Sequence, residues 1–305
     1  MKLKITEIVV LSPSIRQFML ADAAGALLPA ASAGAHILLR IRGSERVWRN
    51  AYSLVSSPED RQAYKIIVRR VERSRGGSVW LHDHAAIGDI LEAEVPQNLF
   101  PIPLLAQKHL MLSAGIGITP MLAYLRVLRK PFELHHCCKL EDAEAFARLL
   151  PATPNVLLHT SRNTLDLEYL LAHQRLGTHL SVCGPESFMD VVLQTAQNLG
   201  WPGTKVHKES FGGATGGAPF VAHLRRSNLT LNVGSDQSLL EAIEDAGLAP
   251  PSLCRGGACG VCETVLLEGV PDHHDHYLSE TQRACNKTIM PCVSRAKTPE
   301  LVLDI

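Results

Sequence analysis

No apolar run in the 305-residue chain approaches the ~20 residues needed to cross a bilayer, so a membrane span is not expected. Charge of one sign is missing as well. The 30 basic residues meet 30 acidic ones, which leaves no electrostatic footprint for nucleic acid or an anionic membrane surface. The opening "MKLKITEIVVLSPSIRQ" lacks the plan of a signal peptide and reads as strand, so a cytoplasmic protein is expected. In such a reducing compartment the eight cysteines do not form a disulfide framework. The chain also lacks the G-x-G-x-x-G fingerprint, which rules out an ordinary Rossmann assignment. No Ser-His-Asp arrangement and no internal repeat is evident.

What is present changes character along the chain. At this length two or three domains are expected. The first hundred residues alternate in strand fashion, in "AHILLRI" (35–41) and "YKIIVRRV" (64–71), with turn clusters such as "SSPED" between. A small antiparallel barrel fits. From Lys108 strands alternate with helices: "HLMLSAG", then "TPMLAYLRVLRK" with Thr119 as N-cap and Pro120 at the first helical position. Further on come "ELHHCC", "EDAEAFARLL", "NVLLH", "LDLEYLLAH", "HLSVC" and "ESFMDVVLQTAQNL". That alternation implies a parallel sheet covered on both faces. "GGATGGAP" (212–219) reads as a linker, and a short third unit starts at Phe220.

The third unit carries "CRGGACGVCET" (254–264), with Cys254, Cys259 and Cys262 in one glycine-rich loop and Cys292 thirty residues later. C-x4-C-x2-C with a distant fourth cysteine is the plant-type spacing for a [2Fe–2S] cluster. Three thiolates from one loop need a backbone that curls tightly with its N–H groups toward sulfur, which Gly256, Gly257 and Gly260 permit. Structural zinc also takes four cysteines, but usually from two short knuckles. Cys285 is a rival fourth ligand; the spacing favours Cys292.

A cluster carries one electron at a time, whereas NADH delivers two together, so a flavin is expected upstream to split the pair. "AYSL" (51–54) offers an aromatic and a hydroxyl suited to an isoalloxazine. "SRGGSVWLH" (74–82) is a glycine turn opening a helix, where backbone N–H groups and Arg75 suit a phosphate. "SAGIGITP" (113–120) and "CGPESFM" (183–189) are strand-to-helix turns at the carboxyl edge of the sheet, where such folds bind nucleotides. Each of these stretches also has a plain reading, as an ordinary barrel strand or a tight turn.

In this order, "AYSL", "SRGGS", "GIGITPM", "CGPE", "HKESFGG", "CRGGACGVCET" and "CVSRAK…LVLDI" make the whole chain resemble the reductase components of Rieske oxygenase systems, the phthalate dioxygenase reductase type. The sequence is most similar to the subset serving carnitine monooxygenase and vanillate O-demethylase. The resemblance implies an FMN-binding antiparallel β-barrel (1–102), an NADH-binding α/β domain (103–213), a linker (214–219) and a β-grasp plant-type ferredoxin domain (220–305). It implies FMN rather than FAD, NADH rather than NADPH, and a Rieske-type oxygenase as partner. A stand-alone NADH oxidoreductase reducing small acceptors is the alternative.

Carried over residue by residue, the resemblance places Tyr52 and Ser53 on the flavin, with Leu54 and Asn50 beside them. Arg75, Gly76, Gly77 and Ser78 would hold the FMN phosphate. Gly115, Gly117, Thr119 and Pro120 would line the nucleotide path, with Cys183, Gly184 and Pro185 by the nicotinamide and Phe211 near the flavin. Cys254, Cys259, Cys262 and Cys292 would bind iron. Three positions depart from the family: Asn50 stands where relatives have arginine, "LHHCCKL" (134–140) where they carry Tyr and Arg, and Lys208 where many have an aromatic. "PDHHDHY" (271–277) reads as a polar surface loop, a second metal site being the rival reading. His82 and His84 are read as touching FMN or as solvated. "RRVERSR" (69–75), with four arginines, reads as a solvated face or a flavin-phosphate patch.

Overall fold

The alternating segments near the start become strands of one antiparallel sheet. In a computed structural model that describes residues 1–43, 47–72, 74, 76–161, 164–211 and 216–305, these are β1 (Lys2–Ser12), β2 (Ile15–Asp22), β3 (His36–Arg42), β4 (Val47–Ser53), β5 (Ala63–Arg69) and β6 (Ile90–Ala93). A short helix, α1 (Gly77–Asp83), lies between β5 and β6. The strand order is β4-β3-β6-β1-β2-β5, and a bridge between Leu54 and Ile66 joins the two ends into a barrel. Inward residues such as Leu3, Ile5, Phe18, Leu20, Ile37, Leu39 and Ile41 fill it completely. Each such side chain contributes roughly 1.5–3 kcal/mol of burial.

The strand–helix alternation becomes β7 (Lys108–Ala114), α2 (Thr119–Val127), β8 (Phe132–Cys137), α3 (Ala143–Leu149), β9 (Val156–His159), α4 (Leu167–Ala172), β10 (Thr178–Cys183), α5 (Glu186–Asn198) and β11 (Val206–Glu209). All pairings are parallel, in the order β11-β10-β7-β8-β9. After β9 the chain returns to the other side of β7, so the order reverses between β7 and β10. A crevice opens at the carboxyl ends at such a point. One expectation shifts: a turn of 3-10 helix (Gly115–Ile118) precedes α2 and Ile118 is the N-cap. Thr119 is therefore inside the helix, its hydroxyl donating to the Ile116 carbonyl rather than capping.

Barrel and parallel sheet belong to one compact unit, Met1–Ser210. Their shared core includes Ile15, Val55 and Ile67 of the barrel side with Met111, Ile118 and Tyr124 of the other. The Tyr124 hydroxyl donates to the Phe100 carbonyl at 2.6 Å, and Arg126 donates to Val55.

The second unit, Phe211–Ile305, contains β12 (Phe220–Leu224), β13 (Leu229–Val233), α6 (Leu239–Asp245), β14 (Thr264–Glu268), β15 (Pro271–Asp272), α7 (Glu280–Ala284), β16 (Thr288–Ile289), β17 (Arg295–Ala296) and β18 (Glu300–Leu303). Its main sheet runs β13-β12-β18-β14-β16 with β12 parallel to β18, the β-grasp arrangement expected. Ser238 and Glu241 form a full capping box on α6.

Candidate functional site

The four cysteines come together in the second unit as two pairs. The sulfurs of Cys262 and Cys292 lie 3.3 Å apart, with both residues buried. Cys254 is paired with Cys259 by a side-chain hydrogen bond that, with backbone N–H groups, pulls the Cys254 thiol down to about 5. The hydrogen bond shared by Cys262 and Cys292 lowers Cys262 in the same way, while Cys259 and Cys292 are pushed up by their hydrogen-bonded partners. Gly256 and Ala258 each point an N–H at the Cys254 sulfur from 3.4 Å. Among the described residues no three His, Cys, Asp or Glu side chains converge on one ion position. Two thiolate pairs suit two irons with two ligands each. Cys285 is exposed at the end of α7.

The loop's glycines are required. Gly257 and Gly260 have φ of 73° and 76°, and Arg255 is forced to 51° between them and Cys254. Glu244 of α6 holds Arg255 through both guanidinium nitrogens. A side chain at Gly260 would collide with the Tyr277 ring, and one at Gly257 would meet Val293 at 2.7 Å and Asp275 at 3.0 Å. The histidine-rich stretch is thus only partly the surface loop expected. His274 and His276 are exposed, but Asp275 is 1% exposed and accepts from the Leu278 N–H at 2.8 Å. The His276 N–H donates to the Gly257 carbonyl at 2.9 Å, so the stretch clasps the cysteine loop.

In the first unit, "GIGITP" and "CGPE" meet where the strand order reverses. A Cβ on Gly117 would collide with the Cys183 carbonyl, and one on Gly184 would press on Ala114 at 3.1 Å. The two turns therefore interlock. Cys183 is fully buried, and burial raises its thiol well above the ordinary range. Pro185 is exposed at the start of α5, which has no side-chain cap. Pro120 and Thr119 are buried in the first turn of α2.

Opposite Cys183 on β11 stands Glu209. Burial pushes its carboxyl up to about 8, and its Oε2 has no hydrogen-bond partner among the described residues. Nothing in "HKESFGG" by itself marks this glutamate for a role. A carboxylate oxygen closed off from solvent at the last position of an edge strand is what picks it out. Phe211 follows as the first residue of the second unit and is 43% exposed.

On the barrel, Ser53 ends β4 buried, with a hydroxyl that has no partner among the described residues. Asn50 donates to the Tyr52 hydroxyl at 3.2 Å, and its own Oδ1 is buried without a partner. A Cβ on Gly77 would meet the Asn50 amide at 2.8 Å, and one on Gly76 would meet the Trp48 ring at 3.0 Å. Asn50, Tyr52 and the glycine turn are thus one patch. Ser78 is buried and spends its hydroxyl on the Val71 N–H and Ser74. Leu54 lies in the barrel core, its N–H bonded to the Ala35 carbonyl at 2.8 Å. Arg75 falls outside the described residues. His82 does not face a cofactor: it is 3% exposed and hydrogen-bonds the Val68 carbonyl through Nε2, a core histidine. His84 is exposed at the end of α1.

Two orphaned hydroxyl and amide groups on a barrel, an interlocked nucleotide-type crevice and a cysteine-paired β-grasp unit define a modular flavin and iron–sulfur oxidoreductase. The 2Fe-2S iron–sulfur cluster binding domain family matches residues 222–297, which include all four cysteines. The chain is 42% identical over 301 residues to the heme-dependent oxidative N-demethylase beta subunit of Ectopseudomonas mendocina, covering 97% of this chain and 96% of that one. It is 38% identical to the carnitine monooxygenase reductase subunit of Escherichia coli K12, covering 100% and 98%. The solved structure of phthalate dioxygenase reductase, described as modular for electron transfer from pyridine nucleotides to [2Fe–2S], superposes with a TM-score of 0.88. It shares 34% identity, over 100% of this chain and 98% of that one. The chain belongs to the family of oxygenase-system reductases that includes phthalate dioxygenase reductase. Among the described residues no helix is long and apolar enough to cross a membrane.

Proposed function

We propose that the chain is the reductase of an oxygenase system, taking electrons from NADH and delivering them to a separate oxygenase component. A bound FMN would supply the conversion of a two-electron hydride donor into single electrons, and the cluster held by the four cysteines would carry them onward. The observation that carries this reading is the two-pair geometry of Cys254–Cys259 and Cys262–Cys292 within a domain matched to cluster binding.

The chain's own residues do the following in this reading. The four cysteines hold two irons, and the Gly256 and Ala258 N–H groups offset charge on the Cys254 sulfur. Ser53, with its unclaimed hydroxyl, and Tyr52 orient the flavin ring; Asn50 contributes its free Oδ1 side of the same patch. Arg75, Gly76, Gly77 and Ser78 take the FMN phosphate. Gly115, Gly117, Thr119 and Pro120 with Cys183, Gly184 and Pro185 seat the dinucleotide, and Leu54 and Phe211 complete the flavin surroundings. NADH over NADPH and FMN over FAD rest on the family resemblance. The cytoplasmic setting rests on the sequence reading, in which the cysteines form no disulfide framework.

Relatives named as subunits of oxygenases favour a dedicated partner over a stand-alone NADH oxidoreductase. The expected partner is a Rieske-type oxygenase. A second reading, a haem-dependent demethylating partner, is favoured by the relative at 42% identity. Coupled assays with purified oxygenases of both kinds separate these readings, through NADH consumed in step with substrate demethylated. For the reductase itself, Cys259→Ser removes the cluster spectrum and cytochrome c reduction, while NADH-driven ferricyanide reduction persists. Retention of the cluster spectrum and of full cytochrome c reduction in that variant would refute the wiring.

A further inference from the structure

We propose that Asp275 tunes the reduction potential of the cluster by fixing the turn 275–278, so that the His276 N–H polarises the Gly257–Ala258 peptide unit, whose own N–H faces the Cys254 sulfur. The inference rests on the cluster reading of the four cysteines given above. It adds a positioning residue that lies outside their spacing.

The turn presses on the cysteine loop at one residue. An added Cβ on Gly257 would stand 3.0 Å from the Asp275 Cα and 2.7 Å from Val293, which follows the fourth ligand. Gly257 is thus wedged between the turn and the Cys292 segment. Its carbonyl accepts the His276 N–H at 2.9 Å. Across the same peptide unit, the Ala258 N–H points at the Cys254 sulfur from 3.4 Å. The Gly257 N–H in turn donates to the Cys292 sulfur. Both backbone groups flanking Gly257 therefore serve ligand sulfurs, and the turn holds the residue between them.

Asp275 fixes the turn. Its side chain has no solvent exposure. Oδ2 accepts the Leu278 N–H at 2.8 Å, the local hydrogen bond by which an aspartate closes a turn on the backbone ahead of it. Oδ1 lies 3.5 Å from the Ser294 hydroxyl and 3.4 Å from His273 Nδ1. Arg283 of α7 donates to the Asp275 carbonyl and stands 3.8 Å from Oδ2. Without an acceptor at position 275, the Leu278 N–H is left buried and the turn loses the bond that aims His276.

The sign follows from charge. A reduced cluster carries one more negative charge, so every N–H aimed at a ligand sulfur raises the potential. A carbonyl that accepts a hydrogen bond strengthens the N–H of its own peptide unit. Releasing the turn therefore lowers the potential. A buried negative charge at Asp275 acts in the opposite direction, so the test holds charge constant.

The test compares Asp275→Ala with Asp275→Asn in the flavin- and cluster-loaded protein. Both remove the charge, but only asparagine keeps an acceptor for the Leu278 N–H. In a redox titration followed by EPR, Asp275→Ala should lie below Asp275→Asn by about a tenfold loss in electron affinity, ~59 mV for one electron. The shift of the iron–thiolate stretching bands on deuterium exchange, read by resonance Raman, should also be smaller in Asp275→Ala. Where Asp275→Ala holds too little cluster to titrate, Asp275→Ser takes its place. Its hydroxyl is a weaker acceptor, so it should fall below Asp275→Asn by a smaller factor. Iron content and thermal midpoint, measured alongside, report any general damage. Equal potentials in the two variants overturn the proposal, as does a higher potential in the one with the poorer acceptor. A wild-type protein without iron and acid-labile sulfide overturns the cluster reading itself.

Discussion

The ring of Tyr277 occupies the space that a side chain on Gly260 would need. Gly260 sits between Cys259 and Cys262 at φ 76°, so both its backbone conformation and its missing Cβ are demanded at once. Gly260→Ala should therefore yield protein with less than about half the wild-type iron and acid-labile sulfide, the combined strain and overpacking being on the order of 2–4 kcal/mol. Full cluster occupancy in that variant would show that the loop can yield.

Ser53 gives a prediction whose sign depends on what is bound. A buried hydroxyl without a partner destabilises by about 1–3 kcal/mol. Ser53→Ala should raise the thermal midpoint of the flavin-free protein, yet slow flavin reduction by about tenfold once flavin is loaded. Differential scanning fluorimetry and stopped-flow absorbance read the two halves separately. A lower midpoint in the flavin-free variant contradicts the reading.

Glu209 ties stability to pH. Its folded value, about 8, lies above the ordinary carboxylate range because of burial. The stabilisation from keeping it protonated is complete below the unfolded value and is lost as pH rises toward 8. Glu209→Gln should hold its thermal midpoint across that window while the wild type declines. The gap should open with rising pH to a few degrees, at ~2–4 °C per kcal/mol for a unit of this size. Parallel curves for the two proteins would argue against a buried neutral acid.

Gly117 locks the two nucleotide turns. Gly117→Ala drives a Cβ into the Cys183 carbonyl, so the first unit should lose about 1–3 kcal/mol. KM for NADH should rise while the iron–sulfur absorbance stays intact. A variant with normal KM would separate the turns from nucleotide binding.

Much of this was legible in the residues because the signals are local. The cysteine spacing lies in one loop of nine residues, 254–262, and the strand–helix alternation needs only short windows. The interlock of Gly117 with Cys183 was half-visible, as two turns assigned to one crevice. What escaped depends on contacts distant in sequence. Nothing in "RRVERSR" separates Arg69 from its neighbours until Asp142 is seen to hold it. The polar run "PDHHDHY" looks solvated, yet the glycines of the cysteine loop leave room beneath which Asp275 is buried. His82 reads as a cofactor contact or a solvated side chain because of its place near a glycine turn, but it is buried and bonded to the Val68 carbonyl. Thr119 is displaced by one residue because a 3-10 turn absorbs the start of the helix.

Cys292 is separated from Cys262 by a segment that contains β14, α7 and β16. An inorganic core gripping both ends of that segment acts as a cross-link closing a loop of thirty residues. By the chain-entropy relation for disulfides, such closure removes roughly 3–4 kcal/mol of unfolded-state freedom. Assembly of the redox centre and consolidation of the carboxyl-terminal fold are then one event, and chelation or oxidative loss of iron leaves the stretch between the third and fourth ligands the first place for a protease to cut.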